Sequence, residues 1–527
     1  MEAAAGLLHP REARGLAGSA AGIWRTWGPA AAFVLLAAVF RFASIGAKSL
    51  WFDEAYAFFA ASRPLRDVIA FAAADDVHPP LYYVLLSGWI RLFGTGEAAL
   101  RSLGAAVSSL TVGATWWLGR RLGGPWVGGI GAFLAAIAPL QVLAAQEARM
   151  YPLLGFLTVV SWSALLGAAE GNRRAWPLYV AATVLALYTH YFALLTLAGQ
   201  AVFVLVAAPR RRQAWLLSLL AGVVLFAPQL DEFFATLVSG RGWPFFRPPV
   251  GVGMLTGLVG LFSFGGHVFG FADYFSMGTA TVTRQLMVLL PFLALFVLGL
   301  AAVWRHPRTF WLLAGYLGVP VVVAFVFSLR FNVFYPRYFS FAFPAFALLV
   351  AFGMLRLSAW LPAPSRRAGV LVLVLAYLGI NAWTLHEVYT NPRYARFDWR
   401  RAAALLSRQA GPNDLIVAFP SFGRIALAYY FKGSQRVEHM TPQEFYGRIQ
   451  ADLRPDPTLV ERNLEILRSY AAQHEVMWLV TTQPLPGAAM ERLRGLLTGI
   501  YTFRAVADFN GVTVFKLTRH QGSRPTL

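Results

Sequence analysis

The chain has 527 residues, of which 57% are hydrophobic and only 13% charged, about half the roughly 25% charged residues of an ordinary soluble domain. That composition excludes a soluble enzyme, a disordered chain and a coiled coil, and leaves a polytopic membrane protein with room for one modest soluble domain. The net charge of +20, from 45 Lys+Arg against 25 Asp+Glu, would suggest nucleic acid on a soluble protein, whereas here its meaning depends on where the arginines fall; the absence of cysteine removes disulfides, iron–sulfur clusters and thiolate zinc sites.

Residues 1–26 carry Arg11, Arg14 and Arg25 around an Ala/Gly stretch, with no short apolar core leading to a cleavage site. They read as a cytoplasmic segment ahead of an uncleaved first span at about 27–45. Further apolar runs follow near 98–118, 125–144, 151–169, 176–189, 192–208, 214–231, 285–304, 309–329, 338–357 and 369–389. Several are shorter than the ~20 residues that cross hydrocarbon unaided.

Five short connections are basic: Arg120-Arg121, Arg173-Arg174, Arg210-Arg211-Arg212, Arg305 with Arg308, and Arg366-Arg367. With the N-terminus in the cytoplasm and about eleven spans, all five fall inside, as the positive-inside bias requires. The arginines therefore read as orientation signals, and no nucleic-acid partner is expected. The count closes only if Pro79–Phe93, which opens with Pro79-Pro80 and carries Arg91, stays on the outer surface as a juxtamembrane or re-entrant helix. The expected plan is a membrane module over 27–390 with outer loops at 46–97 and 232–284, followed by an extracytoplasmic domain over 391–527. The setting is the inner (plasma) membrane.

The tail changes composition and pattern. Asp398–Gln409 reads as an amphipathic helix and Asp414–Phe419 as a short apolar strand after the Gly411-Pro412-Asn413 turn. A helix near Thr458–Ala472, a strand at Val476–Thr481, a helix near Ala488–Leu497 and a hairpin turning at Asn510-Gly511 complete a small α/β domain.

The sharpest chemical signal lies in 46–97. Trp51-Phe52-Asp53-Glu54 places two adjacent carboxylates directly after an apolar span. A carboxylate withdrawn from bulk water at such a boundary is an effective proton acceptor for a hydroxyl. The same pair also suits a plain helix N-terminus, favoured by the macrodipole. Asp75-Asp76-Val77-His78-Pro79-Pro80-Leu81-Tyr82-Tyr83 follows, and His78 there fits either a loop histidine beside a proline turn or a substrate contact. In Gln146-Glu147-Ala148-Arg149-Met150-Tyr151-Pro152, Arg149 suits either snorkelling to headgroups or bidentate phosphate binding. Arg330, Arg337 and Tyr338 lie among aromatics, which fits an aromatic belt and equally an anionic headgroup site. His190 sits between two spans with almost no loop, and Trp243–Pro249 reads as a rigid surface segment. The expected topology brings Asp53, Glu54, His78, Glu147, Arg149, His190, Arg330 and Arg337 to one face.

This constellation resembles the C-type membrane glycosyltransferase fold (GT-C), and within it the family 39-like group of protein O-mannosyltransferases and bacterial aminoarabinose transferases. The matching pieces are Asp53-Glu54, His78-Pro79-Pro80-Leu81-Tyr82-Tyr83, Arg101-Ser102, Gly119-Arg120-Arg121-Leu122-Gly123, Ala148-Arg149-Met150, and Arg337-Tyr338 followed by Pro344. They cover roughly residues 25–390. In those branches an Asp usually follows Arg-Met; Tyr151 stands there in this chain, and the nearby acid is Glu147.

The resemblance implies transfer of a sugar from a polyprenyl-phosphate carrier to a hydroxyl acceptor (lipid, glycan or protein) on the outer face, with inversion at the anomeric carbon. Asp53 corresponds to the general base, with Glu54 or Glu147 tuning it. Arg149, Arg330 and Arg337 are expected at the carrier phosphate, and His78, Tyr82, Tyr83, Tyr151, His190 and Tyr338 at the substrates. No cofactor is certain; a divalent cation held by Asp53, Asp76 and His78 is an open option. A transporter or lipid flippase is the alternative, and a non-catalytic receptor a third reading. Transporters usually show repeats and ionisable groups near mid-membrane, whereas the ionisable groups here cluster at one boundary.

Overall fold

The computed structural model describes residues 20–74, 78–239, 251–265, 279–331, 333–391, 397–419, 423–435, 437–439, 469–470, 473–482, 491, 494–495 and 497–520, with side chains from residue 27 except at 73–74, 239, 252–253, 279–288, 331 and 439. The segments read as Asp75-Asp76, Trp243–Pro249, most of the helix near Thr458–Ala472 and most of that near Ala488–Leu497 lie outside these residues. The chain runs α1 Ala20–Phe42, α2 Phe52–Ala61, α3 Leu65–Ala74, α4 Leu81–Phe93, α5 Glu97–Ile137, α6 Pro139–Ala145, α7 Tyr151–Ala169, α8 Ala175–Leu187, α9 Ala193–Ala207, α10 Arg212–Phe226, α11 Leu230–Ser239, α12 Val252–Phe264, α13 Thr279–Val303, α14 Pro307–Leu313, α15 Val319–Phe331, α16 Phe343–Ser358 and α17 Arg366–Thr390. The C-terminal part adds α18 Trp399–Gln409, β1 Leu415–Phe419, α19 Gly423–Tyr430, β2 Val437–His439, β3 Val476–Thr482, β4 Tyr501–Phe509 and β5 Val512–Arg519.

The protein is a polytopic α-helical membrane protein with a C-terminal α/β domain, but the expected count of about eleven spans is overturned. Among the described residues, five helical stretches are long and apolar enough to cross a membrane: Tyr151–Ala169, Pro209–Val238, Pro307–Arg330, Pro336–Ser358 and Ala363–Thr390. They become six if α5 and α6, bent by 56° about the break at Ala138, count as one. Apolar runs in the sequence do not map one-to-one onto long helices. The run at 98–118 and the first part of that at 125–144 fall in one 41-residue helical stretch interrupted at Gly123 and Gly124, where Gly124 takes φ +83°, and the remainder is α6. The runs at 176–189 and 192–208 yield helices of 13 and 15 residues. At 1.5 Å per residue such helices reach roughly 20–23 Å, short of the ~30 Å hydrocarbon thickness.

The Gly123-Gly124 break folds the chain back on itself. A Cβ on Gly128 would lie 2.7 Å from the Trp116 carbonyl and 2.8 Å from the Arg120 nitrogen, so the two limbs of α5 touch backbone to backbone. Small residues permit the same close approach elsewhere in the bundle: a Cβ on Gly199 would fall 1.9 Å from the carbonyl oxygen of Gly315, and one on Gly353 1.9 Å from that of Leu295. Gly315 belongs to a π-helical turn, Ala314–Gly318, between α14 and α15.

Helix α7 and the stretch ending in α16 form the centre of the bundle, with 72% and 83% of their apolar windows buried, against 28% for the peripheral stretches containing α10 and α17. A buried Arg41 on α1 is matched to its place: it donates to Ser108 Oγ (2.8 Å) and to the carbonyls of Ala136 (2.8 Å) and Ala135 (3.0 Å), groups released where α5 ends.

Segment 46–97, expected as an outer loop with a helix over Pro79–Phe93, is largely helical: α4 at Leu81–Phe93 is that helix, and α2 and α3 precede it. Its buried cluster joins Tyr56, Tyr82, Tyr83, Leu86 and Leu100 to Ala148, Met150 and Tyr151. Among the described residues, the C-terminal domain has a five-stranded sheet in the order β2-β1-β3-β5-β4. Strand β1 lies parallel to β2 and β3 (Ile416 opposite Val437, Leu415 opposite Met477), and β5 is antiparallel to β3 and β4. Asn510 and Gly511, at φ 42° and 85°, make the tight turn between β4 and β5. Helix α18 buries Ala402, Ala403, Leu405 and Leu406 on the sheet and is capped by Asp398, whose Oδ1 accepts the Arg401 N–H at 3.1 Å.

Candidate active site

Asp53 and Glu54 occupy the first turn of α2, and their side chains go separate ways. Glu54 is fully buried and takes a fork-to-fork pair from Arg101: Nε to Oε1 at 2.7 Å and Nη2 to Oε2 at 2.8 Å. Its oxygens also accept the N–H groups of Ala148 (3.0 Å) and Trp51 (3.2 Å). The remaining Arg101 hydrogens go to the carbonyls of Ile45, Lys48 and Ser49. One buried ion pair thus ties α2, the turn-and-bend segment at 45–49, the start of α5 and the Glu147–Arg149 turn together, a satisfied geometry of the kind a desolvated pair needs.

Asp53 points the other way, with its side chain 19% exposed. Its Oδ2 lies 3.3 Å from Arg337 Nη2 and 3.8 Å from Arg149 Nε, and Arg149 Nη1 reaches the Asp53 carbonyl at 3.5 Å. Arg149 is brought there by the sharp turn between α6 and α7, where its own N–H bonds the Glu147 carbonyl at 2.8 Å. Arg337 comes from the 3₁₀ turn Pro336–Ala342. Its guanidinium lies over four rings, those of Trp51, Tyr335, Tyr151 and Tyr338, at 5.0–5.9 Å.

Around this triad the structure gathers most of the side chains singled out in the sequence. Tyr151 stacks on Tyr338 at 5.5 Å, His190 meets Tyr151 and Tyr338 at 6.0 and 5.9 Å, and His78 meets His190 at 5.2 Å. His190 Nδ1 accepts the Phe192 N–H at 3.0 Å, which fixes the ring. Glu147 is buried and lies within electrostatic reach of Tyr82 and Arg337. Tyr82 shares a small cavity with Arg149, Leu103, Gly104 and Leu153, and Tyr83 packs beneath it against Tyr56. Among the described residues, Arg337 Nε and the hydroxyls of Tyr151 and Tyr82 are buried donors with no hydrogen-bond partner.

Arg330 is exposed at the end of α15, and the ion pairs at the Asp53 carboxylate are those of Arg149 and Arg337. Asp76, one of three residues considered for a cation, lies outside the described residues; among those described, no group of three or more His, Asp or Glu gathers. Arg101, which the sequence offers only as a piece of the resemblance, and Tyr335, which it offers only as one of the aromatics around Arg337, both take a place in the site. The one signal for Arg101 was a lone arginine following Glu97 in an otherwise apolar helix opening.

Two of the basic connections meet at the opposite end of α7. Arg121 pairs with Glu170, and a Cβ on Gly171 would lie 3.2 Å from Arg211 Nη2. Helix α7 therefore runs from Tyr151 in the Asp53 pocket to Glu170 among arginines.

Comparison with known proteins agrees with this architecture. Residues 77–230, under a third of the chain, match the family described as dolichyl-phosphate-mannose-protein mannosyltransferase. Among solved structures, ArnT from Cupriavidus metallidurans in the apo state is similar at 17% identity and TM-score 0.61, over 94% of this chain and 98% of that one. The same protein bound to undecaprenyl phosphate gives 17% identity and 0.59, over 93% and 98%. The archaeal oligosaccharyltransferase AglB from Archaeoglobus fulgidus, in complex with an inhibitory peptide and a dolichol-phosphate, gives 13% and 0.53, over 96% and 76%. No curated protein matches the chain in sequence. At these identities the likeness is one of fold: the chain has a GT-C-like membrane fold of the ArnT, AglB and mannosyltransferase type.

Proposed function

We propose that the protein transfers a sugar from a polyprenyl-phosphate-linked donor to a hydroxyl acceptor, with inversion at the anomeric carbon. The observation that carries this reading is the shared oxygen of Asp53: two guanidiniums approach it, while Arg337 Nε and the Tyr151 hydroxyl stay unpartnered beside it. A pocket with surplus donors around a single exposed-edge carboxylate suits an anionic leaving group and a hydroxyl nucleophile together. Arg149 and Arg337 hold the carrier phosphate. Asp53 takes the proton of the acceptor hydroxyl as its oxygen bonds to the anomeric carbon. The bond from that carbon to the phosphate oxygen breaks, and polyprenyl phosphate leaves with the electron pair. His78, His190, Tyr82, Tyr151 and Tyr338 line the substrates, with Tyr83 packing beneath Tyr82. Both oxygens of Glu54 are committed to Arg101 and backbone N–H groups, so Glu54 holds α2 in place, and Glu147 tunes the arginine field.

The clustering of arginines at one end of the bundle supports an orientation with that end in the cytoplasm. The Asp53 pocket and the C-terminal domain then lie on the extracytoplasmic side of the inner membrane. Similarity to a structure bound to undecaprenyl phosphate supports the class of carrier.

The test uses purified protein in proteoliposomes with radiolabelled polyprenyl-phosphate sugar and, separately, envelope lipid, glycan and protein fractions as acceptors. Label moving to a hydroxyl compound with release of polyprenyl phosphate is expected. Movement of the intact lipid across the bilayer without transfer would replace this reading with a flippase.

A further inference from the structure

Segment 45–50, which leads into Asp53, is held from two sides. From the membrane module, Arg101 binds the carbonyls of Ile45, Lys48 and Ser49. From the C-terminal domain, the Arg400 main-chain N–H donates to Ser49 Oγ at 3.0 Å and its Nη2 to the Gly46 carbonyl at 3.2 Å. The Leu50 N–H donates to the Tyr430 hydroxyl at 2.7 Å. Both C-terminal residues then meet Glu97 at the head of α5: Arg400 Nη2 at 2.6 Å and the Tyr430 hydroxyl at 2.9 Å, on the same Oε1. The far face of α2 is covered by the same domain, since Ala55 joins the core containing Trp399, Ala426 and Trp478. Phe58 packs edge-on against Tyr429 at 5.0 Å, and the Tyr429 hydroxyl reaches the Thr95 carbonyl at 2.6 Å.

We propose that Arg400 and Tyr430 are positioning residues for Asp53, so that the C-terminal domain completes the reacting site by clamping the segment that carries the carboxylate against α5. This rests on the transfer reading above. Asp53 lies three residues beyond Leu50, and α2 is a helix of only ten residues. A shift of its entry therefore moves the carboxylate relative to Arg149 and Arg337, which are anchored elsewhere. Burial pushes the Tyr430 phenol up to about 12, so the hydroxyl keeps its proton for Glu97 while accepting from Leu50. The clamp is chemically specific: the phenol bridges a donor and a carboxylate, and the guanidinium reaches a carboxylate and a carbonyl at once.

The experiment compares Tyr430→Phe and Arg400→Gln with the unaltered chain in the transfer assay. A second readout is the distance between spin labels at Phe59→Cys on α2 and Leu110→Cys on α5, which the absence of native cysteine makes the only labelled sites. The expected result is a kcat lower by roughly tenfold or more, as misplacement of a reacting group produces. Donor KM should stay within about twofold, and the distance distribution should broaden. Arg400→Lys, which keeps the charge on Glu97, should recover part of kcat. An unchanged kcat, an unchanged distribution, or loss of undecaprenyl phosphate binding along with activity would overturn the proposal. A broadened distribution in variants of a protein that itself transfers no sugar would overturn the transfer reading and leave the clamp standing.

Discussion

Arg337 Nη2 lies 3.3 Å from Asp53 Oδ2 across 284 residues of sequence, and Arg149 approaches the same oxygen at 3.8 Å. The carboxylate is therefore oriented by two cations that arrive from different helix ends and meet at one of its oxygens. Substituting Asp53 by Asn keeps the size and the helix position while removing the base. Transfer from a polyprenyl-linked sugar should fall by about 10²–10⁴-fold, with an unchanged melting profile in detergent. Substantial residual transfer by well-folded Asp53→Asn protein would take the base role away from this residue.

Arg149→Ala should weaken the donor far more than the acceptor. Its side chain is only 6% exposed, and a charge-assisted hydrogen bond of that kind contributes roughly 1.5–3 kcal/mol, or about 10–100-fold in donor affinity. Equilibrium binding of undecaprenyl phosphate to the purified variant measures this; an affinity equal to that of the unaltered chain would remove Arg149 from the phosphate.

Glu54→Gln should act on stability before activity. Replacing one partner of a buried pair strands the other charge, at a cost of roughly 3–5 kcal/mol, and here Arg101 would keep only neutral acceptors, the new amide oxygen and its three backbone carbonyls. A large drop in thermal midpoint is expected. Full stability with activity abolished would instead make Glu54 a chemical participant.

Gly199→Ala places a methyl where the Gly315 carbonyl already sits, 1.9 Å from the built Cβ. Neither atom is the far end of a flexible side chain, so the helices must separate. Overpacking of this kind costs typically ~1–3 kcal/mol. Reduced yield and thermal stability are expected, whereas Gly88→Ala, with nothing within 4 Å, should be neutral.

The local chemistry of the fold was legible in the sequence and its long-range closure was not. Period and punctuation give α18, β1 and the Asn510-Gly511 turn almost to the residue, and the approach of Asp53, Arg149 and Arg337 follows from assigning their segments to one face. The span count fails because an apolar run was counted as a crossing whatever its helix length. The runs at 176–189 and 192–208 yield helices of only 13 and 15 residues, and those and other short apolar helices do not reach the length that crosses hydrocarbon. Adjacency in sequence also grouped Asp53 with Glu54, whereas successive residues of a helical first turn face different neighbours, one an open pocket and the other Arg101. Nothing local marks Arg400 or Tyr430, because their partners at 46–50 and Glu97 lie more than three hundred residues away.

The most direct measurement is a cryo-EM structure of the protein in nanodiscs with undecaprenyl phosphate. The phosphate is expected within hydrogen-bonding distance of both Arg149 and Arg337, beside Asp53. Phosphate density resting on Arg330 or on the arginine connections at the other end of the bundle, with the Asp53 pocket empty, would contradict the account.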